Sequence, residues 1–299
     1  MSLKIGTRGS RLALWQTDYI SKLLFDAHSI SCEKKIIKTT GDKITDVPLA
    51  KVGGKGIFVK EIDDAVLEDR VDLAVHSLKD VPVDLPEGMV LAAVPIREES
   101  NDALISKYKL NELPEGAVIG TSSLRRIAQM KNHRPDVRIK DLRGNVDTRI
   151  RKLEEGDYDA IIMAKAGLKR LGFEESIKEV LNLEIFTPTV GQGAIAVTTR
   201  KDSEANELLN SINHPPSMIM VTAERSLLRG VGGGCQIPLG AQSSLSGKTV
   251  YLKGVMFSQD GSKKISAKAS GTDPDKVGKS VAEQLLEMGG KELLENIEI

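Results

Sequence analysis

Two sets of residues in this 299-residue chain are equipped for chemistry. The first is a single thiol, Cys235, in the run Gly230-Val231-Gly232-Gly233-Gly234-Cys235-Gln236-Ile237-Pro238. Three consecutive glycines sit badly in helix or strand, so they predict a loop with little side-chain bulk. Pro238 restricts the backbone that follows. Such a loop offers a sulfur nucleophile to something large. A lone cysteine is more often a small buried apolar residue, but packing does not call for three glycines beside it. The other cysteine, Cys32, lies in a β-branched, charged run that reads as a strand. There is no CxxC, no Cys/His cluster and no evident histidine partner for Cys235. A metal site is not expected, and a protease-like dyad is unsupported.

The second set is cationic and sits at loop ends. Residues 71–77 read as a buried strand running into Ser77, Lys79, Asp80 and Pro82. Strand ends in open α/β sheets are where ligands bind. Lys79 and Asp80 are neighbours, so in an extended segment they point apart and either can face a cleft. A surface turn is the plainer reading. His76, inside the strand, reads as structural. Thr121, Ser122, Ser123, Arg125 and Arg126 open a helix, where hydroxyls, free backbone N–H groups and guanidiniums meet. Arg143, Gly144 and Arg149 repeat that arrangement one strand later. Arginine grips carboxylates bidentately. One such cluster reads equally as a solvated helix face; two at equivalent turns do not. Arg8 and Ser10, the latter a candidate N-cap, begin a helix over 10–28, which reads either as a third anion site or as an ordinary capped helix.

The elements that must hold these groups form an α/β pattern. Strands are predicted at 3–7, 32–40, 71–77 and 89–96, with helices at 10–28 and 57–70. The first helix shows an apolar stripe of Leu12, Leu14, Trp15, Tyr19, Ile20, Leu23 and Leu24. A long loop over 41–56 carries Lys51 and Lys55 as carboxylate partners. Its Gly54-Lys55 pair is not a nucleotide loop: Leu49 stands where the first glycine belongs and Gly56 where a Ser/Thr would hold magnesium. After a polar break at 97–102 the βα pattern restarts at 117, giving a second unit with the logic of the first. Gly191-Gln192-Gly193 with Ala196 imitates a dinucleotide fingerprint, but a β-branched strand follows instead of a helix. It reads as the return crossing. Residues 217–299 give a helix, the Cys235 loop, strands around a hairpin at Asp260-Gly261 and a helix over 274–288. The expected domains are 1–96 with 189–215, 97–188 and 216–299.

Composition narrows the class. Apolar residues make up 40% and charged residues 28%, as in a globular protein. No apolar run approaches a membrane span and no signal-peptide core is visible, so the expectation is a cytoplasmic, reduced protein with no membrane partner. Net charge is +0, although residues 121–152 hold ten Lys/Arg against three Asp/Glu. A nucleic-acid binder using Arg125, Arg126, Arg143 and Arg149 is disfavoured by that zero balance and by 3% aromatics.

Taken together, these residues suit a polyanionic organic substrate attached at Cys235 in a cleft between lobes, with Asp80 among cations. The chain here resembles the porphobilinogen deaminase (hydroxymethylbilane synthase) family. The matching segments are GTRGSRLAL from Gly6, KGIFVKE from Lys55, DLAVHSLKDVP from Asp72, GTSSLRR from Gly120, LRGNVDTR from Leu142, YDAII from Tyr158, AGLKRLG from Ala166, VGQGA from Val190, AER from Ala223 and GGCQIP from Gly233.

The resemblance implies two type II periplasmic-binding-protein-like lobes plus a smaller α+β C-terminal domain, and a monomer. It implies a dipyrromethane cofactor held through a thioether at Cys235. Four porphobilinogen molecules would be joined head to tail on it with loss of ammonia, and water would release hydroxymethylbilane. Two cofactor rings and four substrates carry twelve carboxylates, which explains the many cations. By motif position, Lys79, Ser77, Thr121, Ser122, Arg125, Arg126, Arg143 and Gly144 are expected at the cofactor. Arg8, Ser10, Lys51, Lys55, Arg149, Arg170 and Gln192 are expected at substrate. Asp80 is the expected catalytic residue: a carboxylate beside pyrrole N–H groups stabilises the cation left by deamination and helps to move protons. No metal or nucleotide is required.

Three departures from the family pattern stand out. They are Asn101 where Arg is usual, Lys165 where a small or apolar residue is usual, and Gly232 in place of an acidic residue. The alternative reading is a non-catalytic two-lobe binder of anionic solutes; the third unit and its cysteine loop argue against it.

Overall fold

The structure, a computed structural model, describes residues 2–43, 56–232 and 237–295. A first sheet holds β1 (Ser2–Thr7), β2 (Ser31–Ile36), β3 (Leu73–Ser77), β4 (Met89–Ala93) and β10 (Ile195–Arg200), in the order β2-β1-β3-β10-β4. A second holds β5 (Asp102–Ser106), β6 (Val118–Gly120), β7 (Arg138–Lys140), β8 (Ala160–Ala164) and β9 (Glu179–Val180), in the order β7-β6-β8-β5-β9. Both repeat one plan. Three strands run parallel, and the fourth position is taken by a strand antiparallel to its neighbours, placed next to a crossing between the lobes. The two α/β lobes thus share one topology, as the resemblance implied. A smaller C-terminal unit has an antiparallel sheet of β11 (Leu239–Ser246), β12 (Thr249–Phe257) and β13 (Lys264–Gly271).

Helices cover the sheets. They are α1 (Arg11–His28), α2 (Thr40–Lys43), α3 (Lys60–Leu67), α4 (Leu124–His133), α5 (Val146–Glu154), α6 (Lys165–Arg170), α7 (Ala205–Asn210), α8 (Pro215–Gly230), α9 (Pro274–Leu285) and α10 (Lys291–Glu295). Among the described residues no helix is long and apolar enough to cross a membrane. Helix α1 starts where expected, because the Ser10 side chain accepts a hydrogen bond from the Ala13 N–H at 3.3 Å. Its buried face differs from the expected stripe. Ala13, Gln16, Thr17, Ile20 and Leu24 are buried, whereas Trp15 is 37% exposed. The helix turns polar side chains inward because Gln16 must meet Ser77 at the end of β3, at 2.9 Å.

Strand β3 is buried along Leu73, Ala74, Val75 and His76, as a strand covered on both faces must be. Its Leu73 and Val75 share a core with Leu3, Ile5, Ile20, Leu24 and Val197. Phe186, Leu104, Ile119, Met130 and Ile162 build the corresponding core of the second lobe.

Three sequence expectations are corrected. The polar break at 97–102 is followed at once by β5, a strand that sequence reading passed over because its first residue, Asp102, is a fully buried charge. Lys79 and Asp80 are not extended; they close a single 3-10 turn, Leu78–Asp80. The last long helix ends at Leu285, and Gly289 just beyond has φ 103°, a left-handed conformation suited to glycine.

Candidate active site

The site grows from three strand ends. In the first lobe, β3 delivers Ser77 and then the turn bearing Lys79 and Asp80. In the second, the β6–α4 turn carries Thr121, Ser122 and Ser123, and the β7–α5 turn carries Arg143 and Gly144. Side-chain hydroxyls lock those turns together: Ser122 Oγ donates to the Leu142 carbonyl at 2.7 Å and accepts from the Leu142 N–H at 3.1 Å. Thr121 Oγ1 accepts from the Ser123 N–H at 3.3 Å. Gly144 has φ 112°, and a Cβ there would lie 2.8 Å from Thr148, so the second turn needs glycine.

The two lobes bring their charges to one place. Burial lowers the pKa of Lys79 first, Asp80 opposes this, and Arg126 and Arg149 lower it further. Arg149 is drawn down to about 10, by burial first, then by Arg126, with Asp141, Arg143 and Asp80 also in reach. Lys79 and Asp80 therefore share one field with Arg126, Arg143 and Arg149 of the opposite lobe. Cations outnumber carboxylates there, which suits a polycarboxylate ligand.

Behind this surface lies a buried hub. Asp102 meets Arg126 Nη2 at 2.7 Å and Arg125 Nη1 at 2.8 Å, and neither guanidinium has appreciable solvent exposure. Burial alone would raise the Asp102 pKa; the two arginines outweigh it and hold the carboxyl well below the usual range. Arg126 Nη1 also donates to the Ile162 carbonyl at 3.0 Å, and Gln192 Nε2 donates to Asp102 Oδ1 at 2.9 Å. Arg126 and Gln192 thus face the interior. Arg125 differs: Nη1 donates to the Thr187 carbonyl at 2.7 Å, while Nε is buried without a hydrogen-bond partner.

Arg125 also lines a cavity between the three units, with Lys79, Ser123, Arg225, Leu78, Ile237 and others. That lining has three cations and no carboxylate. Ile237 is two residues beyond Cys235 in the chain. Cys235, Lys51 and Lys55 lie outside the described residues, so the expectations placed on them have no geometry here.

The remaining expected residues are engaged by neighbouring protein groups. Arg8 holds Asp42 at 2.5 Å and stacks over the Phe58 ring at 4.3 Å. Ser10 is spent on capping α1. Arg170 donates to the Gly193 carbonyl at 2.7 Å and lies over the Trp15 ring at 5.6 Å, which joins α6 to α1. Arg143 Nε lies 3.3 Å from Asp141. Of the departures, Asn101 Nδ2 donates to the Leu181 carbonyl at 3.1 Å, and Lys165 pairs with Glu99 at 2.8 Å. Gly232 has φ 94°, which a glycine supplies without strain.

Comparison with known proteins agrees with this geometry. A family model described as "Porphobilinogen deaminase, dipyromethane cofactor binding domain" matches residues 3–207, and the C-terminal domain model of the same family matches 218–287. The chain belongs to the porphobilinogen deaminase family. A porphobilinogen deaminase of Syntrophomonas wolfei is 48% identical over 299 residues, covering 98% of both chains. That of Nitratidesulfovibrio vulgaris is 48% identical over 306 residues, covering 99% of this chain and 96% of its own. Among solved structures, the periplasmic VFT2 domain of Bordetella pertussis BvgS matches with TM-score 0.42 and 13% identity, over 71% of this chain and 86% of that one. No functional likeness follows at that distance.

The activity is that of a porphobilinogen deaminase, a transferase that joins four porphobilinogen molecules head to tail on a dipyrromethane primer, releases ammonia and then hydrolyses off hydroxymethylbilane. The residues present fit that primer. Its two pyrroles bring four carboxylates, and the carboxylate-free cavity with the unpartnered Nε of buried Arg125 offers matching donors.

Sequence reading missed the acids that hold these arginines, Asp42 and Asp102. It also missed Arg225, which lines the cavity with its guanidinium taken up by the Val81, Pro82 and Val83 carbonyls. Asp102 was within the polar break, where a buried charge and a surface charge look alike.

Proposed function

We propose that Cys235 carries the dipyrromethane through a thioether and that Asp80 is the catalytic carboxylate of porphobilinogen polymerisation. One observation supports this reading: Lys79, beside Asp80, lines one cavity with Arg125 of the second lobe and with Ile237, two residues beyond Cys235 in the chain. The primer supplies the free pyrrole carbon on which the chain grows. Everything else is done by the protein. Lys79, Arg125 and Arg143, with Ser77 and the turns at Thr121, Ser122 and Gly144, hold its acetates and propionates. Arg126 and Gln192 support that surface from behind through Asp102.

Asp80 accepts hydrogen bonds from pyrrole N–H groups and balances the positive charge that develops as ammonia leaves. It also holds a proton between steps. Arg8, Arg149 and Arg170, with Lys51 and Lys55, bind carboxylates of the arriving substrate, and Ser10 fixes the helix start beside Arg8. The working unit is a cytoplasmic monomer. Its domains are 1–96 with 189–215, 97–188 and 216–299, in keeping with the strand membership of the sheets.

Intact mass of the protein and of Cys235→Ala tests the attachment. The expected result is two pyrrole units of extra mass on the wild type and none on the variant. Extra mass that persists on Cys235→Ala would move the attachment elsewhere.

A further inference from the structure

Helix α8 ends at Gly230, five residues before Cys235. One of its faces meets the chain that follows Asp80. Arg225 Nη2 donates to the Pro82 carbonyl at 2.7 Å and to the Val83 carbonyl at 2.9 Å, and Nη1 donates to the Val81 carbonyl at 3.3 Å. One turn later, Arg229 Nη2 donates to the Val83 carbonyl at 3.2 Å and Nε to Asp84 at 2.9 Å. One turn earlier, Val221 is fully buried in a cluster with Leu78 and Val81, the two residues that flank Lys79 and Asp80. Positions 221, 225 and 229 are four apart and share one stripe of the helix. The same stripe thus packs under the catalytic turn, grips three successive carbonyls after it, and runs on toward the cysteine loop.

Arg225 is 8% exposed; among the described residues its hydrogen bonds go to main-chain carbonyls, and Asp84 acts on it only through space. Burial draws its pKa down to about 10, the cost of keeping a cation there. A buried cation satisfied only by carbonyls adds little net stability over an apolar side chain of similar size. What it supplies is geometry: a planar fork reads three carbonyls at once, which lysine cannot do.

We propose that Arg225, assisted by Arg229, is a positioning residue that fixes the Lys79–Asp80 turn to the helix leading to Cys235. The turn that bears the acid is thereby held in register with α8, the helix whose chain continues to Cys235. The proposal rests on the assignment of Asp80 and Cys235 made above. The role is one of orientation, since Arg225 acts through the backbone of 81–83. Displacement by about 1 Å of a group held in this way costs on the order of 100-fold in rate.

The test compares Arg225→Met and Arg225→Lys with wild type in three measurements. Porphobilinogen turnover should show kcat falling by about 10- to 100-fold in Arg225→Met, with KM changed little and Arg225→Lys recovering only part of the loss. Intact mass should show the covalent pyrroles still present in both variants. Hydrogen exchange should show the amides of 79–84 losing protection in Arg225→Met while those of β1 and β10 keep theirs. Wild-type kcat in Arg225→Met overturns the proposal, as does loss of the pyrrole mass, which would make Arg225 a direct cofactor ligand. Unchanged protection at 79–84 overturns it whatever the turnover. The exchange measurement does not depend on catalysis, and turnover of Asp80→Asn with intact mass of Cys235→Ala, run in parallel, reads the Asp80 and Cys235 assignment separately.

Discussion

Glu224 takes the Arg97 guanidinium end-on: Nη1 lies 2.7 Å from Oε1 and Nη2 lies 3.1 Å from Oε2. Arg97 belongs to the outgoing crossing between the lobes and Glu224 to α8. The same carboxylate accepts from the Gly191 N–H of the return crossing at 2.8 Å and from Ser243 Oγ of β11 at 2.5 Å. One fully buried acid therefore ties both crossings to the third domain.

Glu224→Ala leaves Arg97 buried without its counter-charge. The expected loss is about 3–5 kcal/mol of stability, the range for breaking one side of a buried pair. Denaturant unfolding of the variant beside wild type measures it. A loss under about 1 kcal/mol, the worth of a surface pair, would show that water reaches Arg97.

Asp102 carries a pH signature. Its folded pKa lies below that of an unfolded aspartate, so its contribution to stability is complete above about pH 4 and is lost only as pH falls further. Asp102→Asn should cost about 3–5 kcal/mol. The gap between variant and wild type should stay level from pH 8 to 5 and narrow in stronger acid. A gap that closes between pH 7 and 5 would contradict the assignment of charge to this hub.

Asp63, which faces His76, behaves in the opposite way. Asp63 Oδ1 lies 3.7 Å from His76 Nε2, and both side chains are almost fully buried. Burial, and then Asp64, push the Asp63 pKa up to about 7; burial, and then Arg8, lower that of His76 to about 4. A raised carboxyl favours the fold while protonated, and its contribution is lost as pH rises toward 7. Asp63→Asn should therefore gain about 1–2 kcal/mol at pH 8 and little at pH 5. Melting temperatures across that range decide it, and equal shifts at both ends would refute the raised pKa.

Asp80→Asn keeps the shape of the turn and removes its charge. Turnover should fall by about 100- to 10,000-fold, the usual worth of a positioned acid–base group, with the pyrrole mass unchanged. Activity within a few-fold of wild type would remove Asp80 from the chemistry.

Much of the frame was legible in the sequence because it rests on local rules. Ser10 caps α1, Asp260-Gly261 turns the last hairpin, and the β-branched run after Gly193 is the returning strand β10. What stayed hidden depends on pairs distant in sequence. Asp102 reads as one more polar residue until Arg125 and Arg126 are found folded onto it. Gln16 belongs to a buried face because Ser77, 61 residues away, waits there. Arg126 and Gln192 were expected at the cofactor and the substrate, and that both turn inward onto Asp102 could not be read from their types. Arg8 likewise reads as a free cation until Asp42 is placed beside it.

The sheet order has a consequence for how the molecule is made. Strand β10 fills the gap between β3 and β4, yet it leaves the ribosome over a hundred residues after β3. The first lobe cannot close while it is the only part synthesised. Until residue 200 emerges, the hydrogen-bonding edges of β3 and β4 wait open, and the second lobe must form as an insertion within an unfinished one. Such long-range closure slows folding and prolongs the exposure of strand edges. The nascent chain is thus most prone to aggregate, and most in need of chaperones, between the emergence of β4 and that of β10.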